Sequence, residues 1–394
     1  MSDPRDAVLA WANDARARRR PELLREARAF HAQHAEDPGA VLAIATALVA
    51  DAERRPPDAP LELDGAAALA AELVRPMLDR SDLEPETRAY LALNLGHALR
   101  RLGPDADAEA QQAYAEALAL QPDRGWWHHA QAELHKWRGR WEECLASEKA
   151  AAERLPGERV VALGVALAAT ALGKGDEAAD AYESLGLPRP ELTAGGLPRV
   201  DGLGHRRVRT PARPTGRGVQ QLPDPCFELV WVELLSPCHG VVSSPSFLDA
   251  PIDYGDVILF DPARVATTET DEPVHPILER LHRGAEVKLP FVAVLGDDAE
   301  GGALAEAIGA QVFLSPVVPE KAPATSKRLV YGKLVLPEAA PLGEVRVKIE
   351  AHLKNGARLA IPELYERLEL TEWAGKQHRA WRSVERYATQ QGLV

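Results

Sequence analysis

Between Arg88 and Pro122 the sequence spells a complete helical hairpin, and two further copies of the pattern follow without a gap. Leu95, Leu99 and Leu102 recur at the spacing of one helix face. Gly96 removes a side chain where a second helix can approach, and Gly103 suits a left-handed C-cap. Pro104 and Asp105 stop one helix and start the next. The second helix carries Ala110, Tyr114 and Ala117 on one face and ends at Pro122. Asp123 to Pro156 repeats this with Ala132, Gly139, Trp141, Cys144, Ala151 and Pro156, but Glu148 stands at the aromatic position. A third copy keeps Ala166, Leu172, Gly173, Ala178 and Tyr182, then fades at Pro188. Such hairpins bury their faces only against neighbours, so the N-terminal half is restricted to stacked helix pairs.

The pattern resembles the tetratricopeptide repeat (TPR) family, whose usual period is about 34 residues. The resemblance implies an α-solenoid whose first helices line a concave, protein-binding surface. Mapped by phase, that groove takes Tyr90, Leu93, His97, Arg100 and Arg101 from the first copy. It takes Trp126, His129, Glu133, Lys136 and Trp137 from the second, and Val160, Leu163, Leu167 and Thr170 from the third. Arginine pairs with carboxylates in bidentate fashion and tryptophan offers a large contact area. An acidic or C-terminal peptide is therefore the expected partner. Family members that clamp a terminal carboxylate use asparagines where His97 and Ala130 stand here, so that specificity does not carry over.

Upstream, residues 5–18 with 21–36 and 39–54 with 64–79 read as two more helical pairs, split by a proline-rich loop from Arg55 to Pro60. About ten helices are expected over residues 1–187. The apolar share is 46% and the aromatic share 5%, so their core must lean on alanine, leucine and valine. Arginine outnumbers lysine, and Ala, Gly and Pro are abundant, which suits a GC-rich bacterial genome.

A net charge of −13 argues against general nucleic-acid binding. Three cysteines without a CxxC pair fit a reduced, cytoplasmic compartment. Met1 to Arg20 is charged throughout and is not read as a signal peptide, and no apolar run reaches the length of a membrane span.

Residues 188–225 are dense in Gly and Pro and carry Arg206, Arg207, Arg209, Arg213 and Arg217. They read as a linker or an ordered strap. From residue 226 to 394 the period changes to that of an antiparallel, β-containing α+β domain with terminal helices. Strands are expected at Val230–Leu234, Val257–Phe260, Phe291–Leu295, Val312–Leu314 and Leu329–Leu336. Val345, Val347 and Ile349 alternate with charged residues and read as a further strand. Helices are expected near 275–283, at 301–309 and after Pro362. Val230-Trp231-Val232-Glu233, Gly240, Pro245 and Gly255-Asp256-Val257 resemble a short β domain of uncharacterised bacterial proteins, a resemblance that brings no activity.

For chemistry, Cys238 and His239 are adjacent and would point apart on a strand, while a turn after Pro237 could bring them together. Turn cysteine and surface histidine is the expectation. His31 with His34 has i, i+3 spacing and His128, His129 and His135 cluster, yet neither group shows a complete ligand set, so no metal and no cofactor is expected. Asp249, Asp253, Asp256 and Asp261 lack calcium-loop spacing and read as turn residues. Gly301-Gly302 opens a helix after a strand, where an anion could bind. Lys376, His378, Arg379, Arg382 and Arg386 form a basic flank on the terminal helix.

The expected function is a protein-binding scaffold, with a helical surface that recognises a partner and a second domain that binds or regulates. An enzyme with its site in the C-terminal domain or a cleft beside the helices, or an immunity-type protein, are the alternatives.

Overall fold

The computed structural model describes the chain apart from residues 1–3, 15–19, 55–64, 213–225, 248–249, 269, 297, 320–324 and 355–357. It divides into two units. The first is Met1–Gly202 with Asp261–Ala266, and the second is Leu203–Phe260 with Thr267–Val394.

The first unit is helical: α1 (Pro4–Asp14), α2 (Arg20–His34), α3 (Pro38–Glu53), α4 (Gly65–Leu78), α5 (Pro85–Arg100), α6 (Asp107–Leu120), α7 (Gly125–Lys136), α8 (Trp141–Arg154), α9 (Arg159–Ala171) and α10 (Gly175–Ser184). A two-stranded ribbon, β1 (Glu191–Leu192) and β2 (Pro198–Arg199), follows. Pro38 sits in the first turn of α3, and the Asp37 carboxylate accepts from the backbone N–H of Gly39 at 2.9 Å, so the helix starts where its free N–H groups find an acceptor. Consecutive helices pack as pairs, and α8 and α10 begin about 34 residues apart. Gly139 and Gly173 end the first helices of two hairpins at φ +64° and +68°. Gly103 differs: at φ 100°, ψ −178° it lies in a region essentially reserved for glycine, outside the left-handed helical well expected of a C-cap.

The core here is an alanine–leucine core. Gly96 makes its closest approach. A β-carbon there would lie 2.9 Å from the buried Tyr114 ring, so α6 packs its tyrosine directly on the backbone of α5. Buried Asp107 at the start of α6 accepts from Arg138 Nε at 3.0 Å and Arg140 at 2.8 Å, which fastens the α7–α8 turn to the preceding hairpin.

The second unit carries two sheets. One holds β3 (His205–Ala212), β4 (Cys226–Ser236), β5 (His239–Val242), β6 (Val257–Phe260), β7 (Ala266–Thr267) and β8 (Pro273–His282), in the order β3-β4-β5-β6-β8-β7. Its β3–β4, β4–β5, β5–β6 and β6–β8 pairs are antiparallel, and β3 also pairs with β8 in parallel, which closes five strands into a ring. Val208, Val230, Val232, Val242, Ile258 and Phe260 fill it. The other sheet is antiparallel, in the order β10 (Gln311–Pro316), β11 (Arg328–Leu336), β9 (Val287–Leu295), β12 (Arg358–Ala360). Leu289, Phe291 and Ala293 face α11 (Asp298–Ile308), α12 (Leu342–Lys354) and α13 (Pro362–Arg367), while Val292 and Ala360 face α14 (Thr371–Gln390). Both faces are covered, so β9 reads as a nearly continuous apolar run.

Two expectations need correction. Val345, Val347 and Ile349 lie on helix α12. Val345 and Ile349 are buried four residues apart, whereas Val347 is 58% exposed. Residues 275–282 belong to strand β8, where pairing with both β6 and β3 supplies their backbone partners and overrides a local helical pattern. Within the stretch 188–225, read as a linker or an ordered strap, His205–Ala212 is strand β3, with Val208 and Thr210 buried between outward arginines. Arg213 and Arg217 lie outside the described residues.

Candidate functional site

A cluster of charged side chains gathers on α5, α7 and α8 of the first unit. His97 and Arg100 lie three residues apart on α5. His129, Glu133 and Lys136 lie at steps of four and three on α7. Both sets therefore present one helix face. Each finds carboxylates from elsewhere in the unit. Glu53, the last residue of α3, accepts from the Arg100 guanidinium at 2.8 Å, and His97 Nδ1 stands 3.0 Å from the same oxygen. Burial alone would raise the Glu53 carboxyl, but His97, Arg100 and Arg101 hold it down to about 2.

Lys136 is buried, paired with Glu133 one turn earlier and with Asp261 at 2.7 Å. Burial opposes both charges of the Lys136–Glu133 pair. Their mutual attraction, with Asp261 adding to the lysine and Arg100 and His129 to the glutamate, raises the ammonium and holds Glu133 down to about 2. The Trp137 ring lies over the Lys136 ammonium at 5.4 Å. Beside them, His129 Nδ1 sits 2.9 Å and 3.1 Å from the two oxygens of Glu148. Glu148 is 1% exposed, and burial pushes its carboxyl up. Burial opposes a charged His129 as well, but the Glu148 contact outweighs it and raises the imidazole.

The other positions expected from repeat phase differ in exposure. Trp126 is 48% exposed at the start of α7 and meets the His129 ring edge-on at 5.8 Å. Tyr90 packs edge-on against Trp127 at 5.2 Å, under the Arg124 guanidinium. Arg101 is half-buried next to Glu53. Val160 on α9, one repeat beyond Trp126, is 50% exposed, while Thr170 is buried and donates back to the Ala166 carbonyl.

Three members of the cluster were not among the sequence-predicted site residues: Glu53, Glu148 and Asp261. Glu148 did announce itself, as a carboxylate at a position where the adjacent copies hold Tyr114 and Tyr182. Glu53 closes a mostly apolar helix that also carries Asp51. Asp261 reads as a turn residue and is one, accepting from the Ala263 N–H at 2.8 Å, but its other oxygen serves Lys136.

Elsewhere, Cys238 in the β4–β5 turn and His239 at the start of β5 are fully buried, and Ser236 Oγ lies 2.5 Å from His239 Nδ1. Burial holds that imidazole at about 4, neutral at physiological pH. Neither side chain reaches solvent, so the expected surface histidine is instead a core one. Asp253 and Asp256 accept backbone N–H groups in the β5–β6 connection and after β8, and Asp253 pairs with Lys333, while Asp249 lies outside the described residues. Gly301 and Gly302 sit inside α11, which begins at Asp298, so they do not form a helix N-terminus. The basic flank of α14 is exposed, and no described helix is long and apolar enough to cross a membrane.

No known family profile matches the sequence, and no curated protein matches it. A solved structure titled "Crystal structure of MamA protein" is similar at 14% identity, covering 47% of this chain and 91% of that one with a TM-score of 0.36. A superposition score that low does not establish a shared fold.

Proposed function

We propose that the chain is a protein-interaction scaffold whose helical unit, a TPR-like solenoid, recognises a protein or peptide partner along the first helices of its hairpins. The observation that carries this reading is the pair Trp126 and Val160. Both are about half exposed, at equivalent positions of successive hairpins. Large apolar groups left open in register on one row are binding anchors in this kind of surface. Arg124, stacked on Tyr90 and Trp127, adds a cation beside them. Arg100 and Lys136 are already engaged by Glu53 and Asp261, so an acidic partner segment would have to compete with the chain's own carboxylates. The second unit would present or regulate that surface.

The test is co-purification from the native cell with wild type beside a Trp126→Ala, Val160→Asp double variant. A partner retained by wild type and lost by a variant of unchanged circular dichroism supports the reading. An identical set of retained proteins sinks it.

A further inference from the structure

The His129–Glu133–Glu148 group breaks the packing pattern of the adjacent hairpins. Glu148 occupies the place on α8 that Tyr114 and Tyr182 fill on α6 and α10, and those tyrosines are fully buried packing groups. A buried carboxylate there is a poor replacement for packing, because removing its charge from water is unfavourable unless something positive meets it. The neighbouring helix is shaped to admit it: a β-carbon on Gly164 would stand 2.4 Å from the Glu148 carboxyl carbon. Facing it across the hairpin, His129 and Glu133 lie one turn apart on α7. One nitrogen and two carboxylate oxygens, one from each residue, all lie within 4.8 Å of one another.

A further observation lies beside this group. The Tyr114 hydroxyl, fully buried and without a hydrogen-bond partner, has Arg100, Glu53 and Glu133 as its electrostatic neighbours. A metal-bound water is the kind of group that would satisfy it.

We propose that His129, Glu133 and Glu148 form a binding site for a divalent transition metal in the first unit. One imidazole and two carboxylates suit Zn²⁺, Mn²⁺, Fe²⁺ or Co²⁺, while Mg²⁺ prefers oxygen and water alone. Both helices are held by core packing, so the ligands are preorganised, and water fills the remaining positions. Cys144, one turn before Glu148, is no ligand here: burial and the carboxylates around it keep the thiol protonated.

The test uses the full chain, stripped with chelator and free of any histidine tag. Co²⁺ and Zn²⁺ are titrated by calorimetry, and Co²⁺ also by its visible absorption. The expected result is one equivalent per chain, a rise in melting temperature on Zn²⁺ addition, and no response to Mg²⁺. Affinity should fall by at least about tenfold in His129→Ala and in Glu148→Gln. Glu148→Tyr, which restores the residue of the adjacent repeats, should fold and lose the metal, separating ligation from folding. No saturable binding in wild type would overturn the proposal. Binding that survives in both His129→Ala and Glu148→Tyr would overturn it by placing the metal elsewhere.

Discussion

Glu148 fills the space that Gly164 leaves open: a β-carbon on Gly164 would stand 2.4 Å from the Glu148 carboxyl carbon. Alanine at this point of α9 would gain up to about 1 kcal/mol of helix propensity. It would also force the buried carboxylate, held by His129, out of place, at about 1–3 kcal/mol. Gly164→Ala is therefore expected to destabilise wild type and to stabilise a Glu148→Ala background. Urea denaturation of the four proteins of this cycle reads the sign directly, and an equal effect in both backgrounds would refute the packing argument.

Lys136 holds two carboxylates, Glu133 and Asp261, with almost no access to water. Removing the ammonium leaves both negative charges facing each other in a buried site. Lys136→Ala is expected to lose about 3–5 kcal/mol of stability. Asp261→Asn, which leaves the Lys136–Glu133 pair intact, should lose clearly less. Chemical denaturation of the two variants at pH 7 checks the order, and a milder effect for Lys136→Ala would show that solvent reaches the cluster.

His239 contributes acid sensitivity to the second unit. Its imidazole is held at about 4 by burial, against an ordinary histidine value of about 6.5. The folded state therefore binds fewer protons than the unfolded state between those values. The stability contribution is complete above pH ~6.5 and is lost as pH falls toward 4, by roughly 3 kcal/mol at full extent. Glu53 and Glu133, held down to about 2, add acid sensitivity only below pH ~4.5. Melting curves between pH 7.5 and 4.5 should fall more steeply for wild type than for His239→Gln. Equal slopes would mean that another group is responsible.

On α12 the three aliphatic residues are inequivalent. Val347→Lys should change stability by no more than about 0.5 kcal/mol, because Val347 already faces water. Ile349→Ala, which empties a fully buried position, should lose about 2–5 kcal/mol. A strand would have placed both on one face and made both substitutions costly, so comparable losses would contradict the helix.

The sequence by itself determined what depends on near neighbours. Leu95, Gly96, Leu99 and Tyr114 announce their hairpin because helix periodicity, a close-approach glycine and a nesting aromatic all lie within one short window. The strands at Val257–Phe260 and Leu329–Leu336 are legible for the same reason. Short windows also mislead: Val345 and Ile349 satisfy the two-residue period of a strand and the four-residue step of a helix, and only the apolar surface offered by β9 and β11 selects between them. His205–Ala212 was hidden by the glycine, proline and arginine around it, and became a strand because β4 and β8 both supply hydrogen-bond partners. The charged cluster was half legible. His97, Arg100, His129, Glu133 and Lys136 followed from repeat phase, and Glu148 stood out as a break in the pattern. That Lys136 would meet Asp261, about 125 residues away along the chain, was decided by tertiary structure alone. Buried charges choose partners by distance in space and by the need to be desolvated together, and no local pattern of residue types encodes that distance.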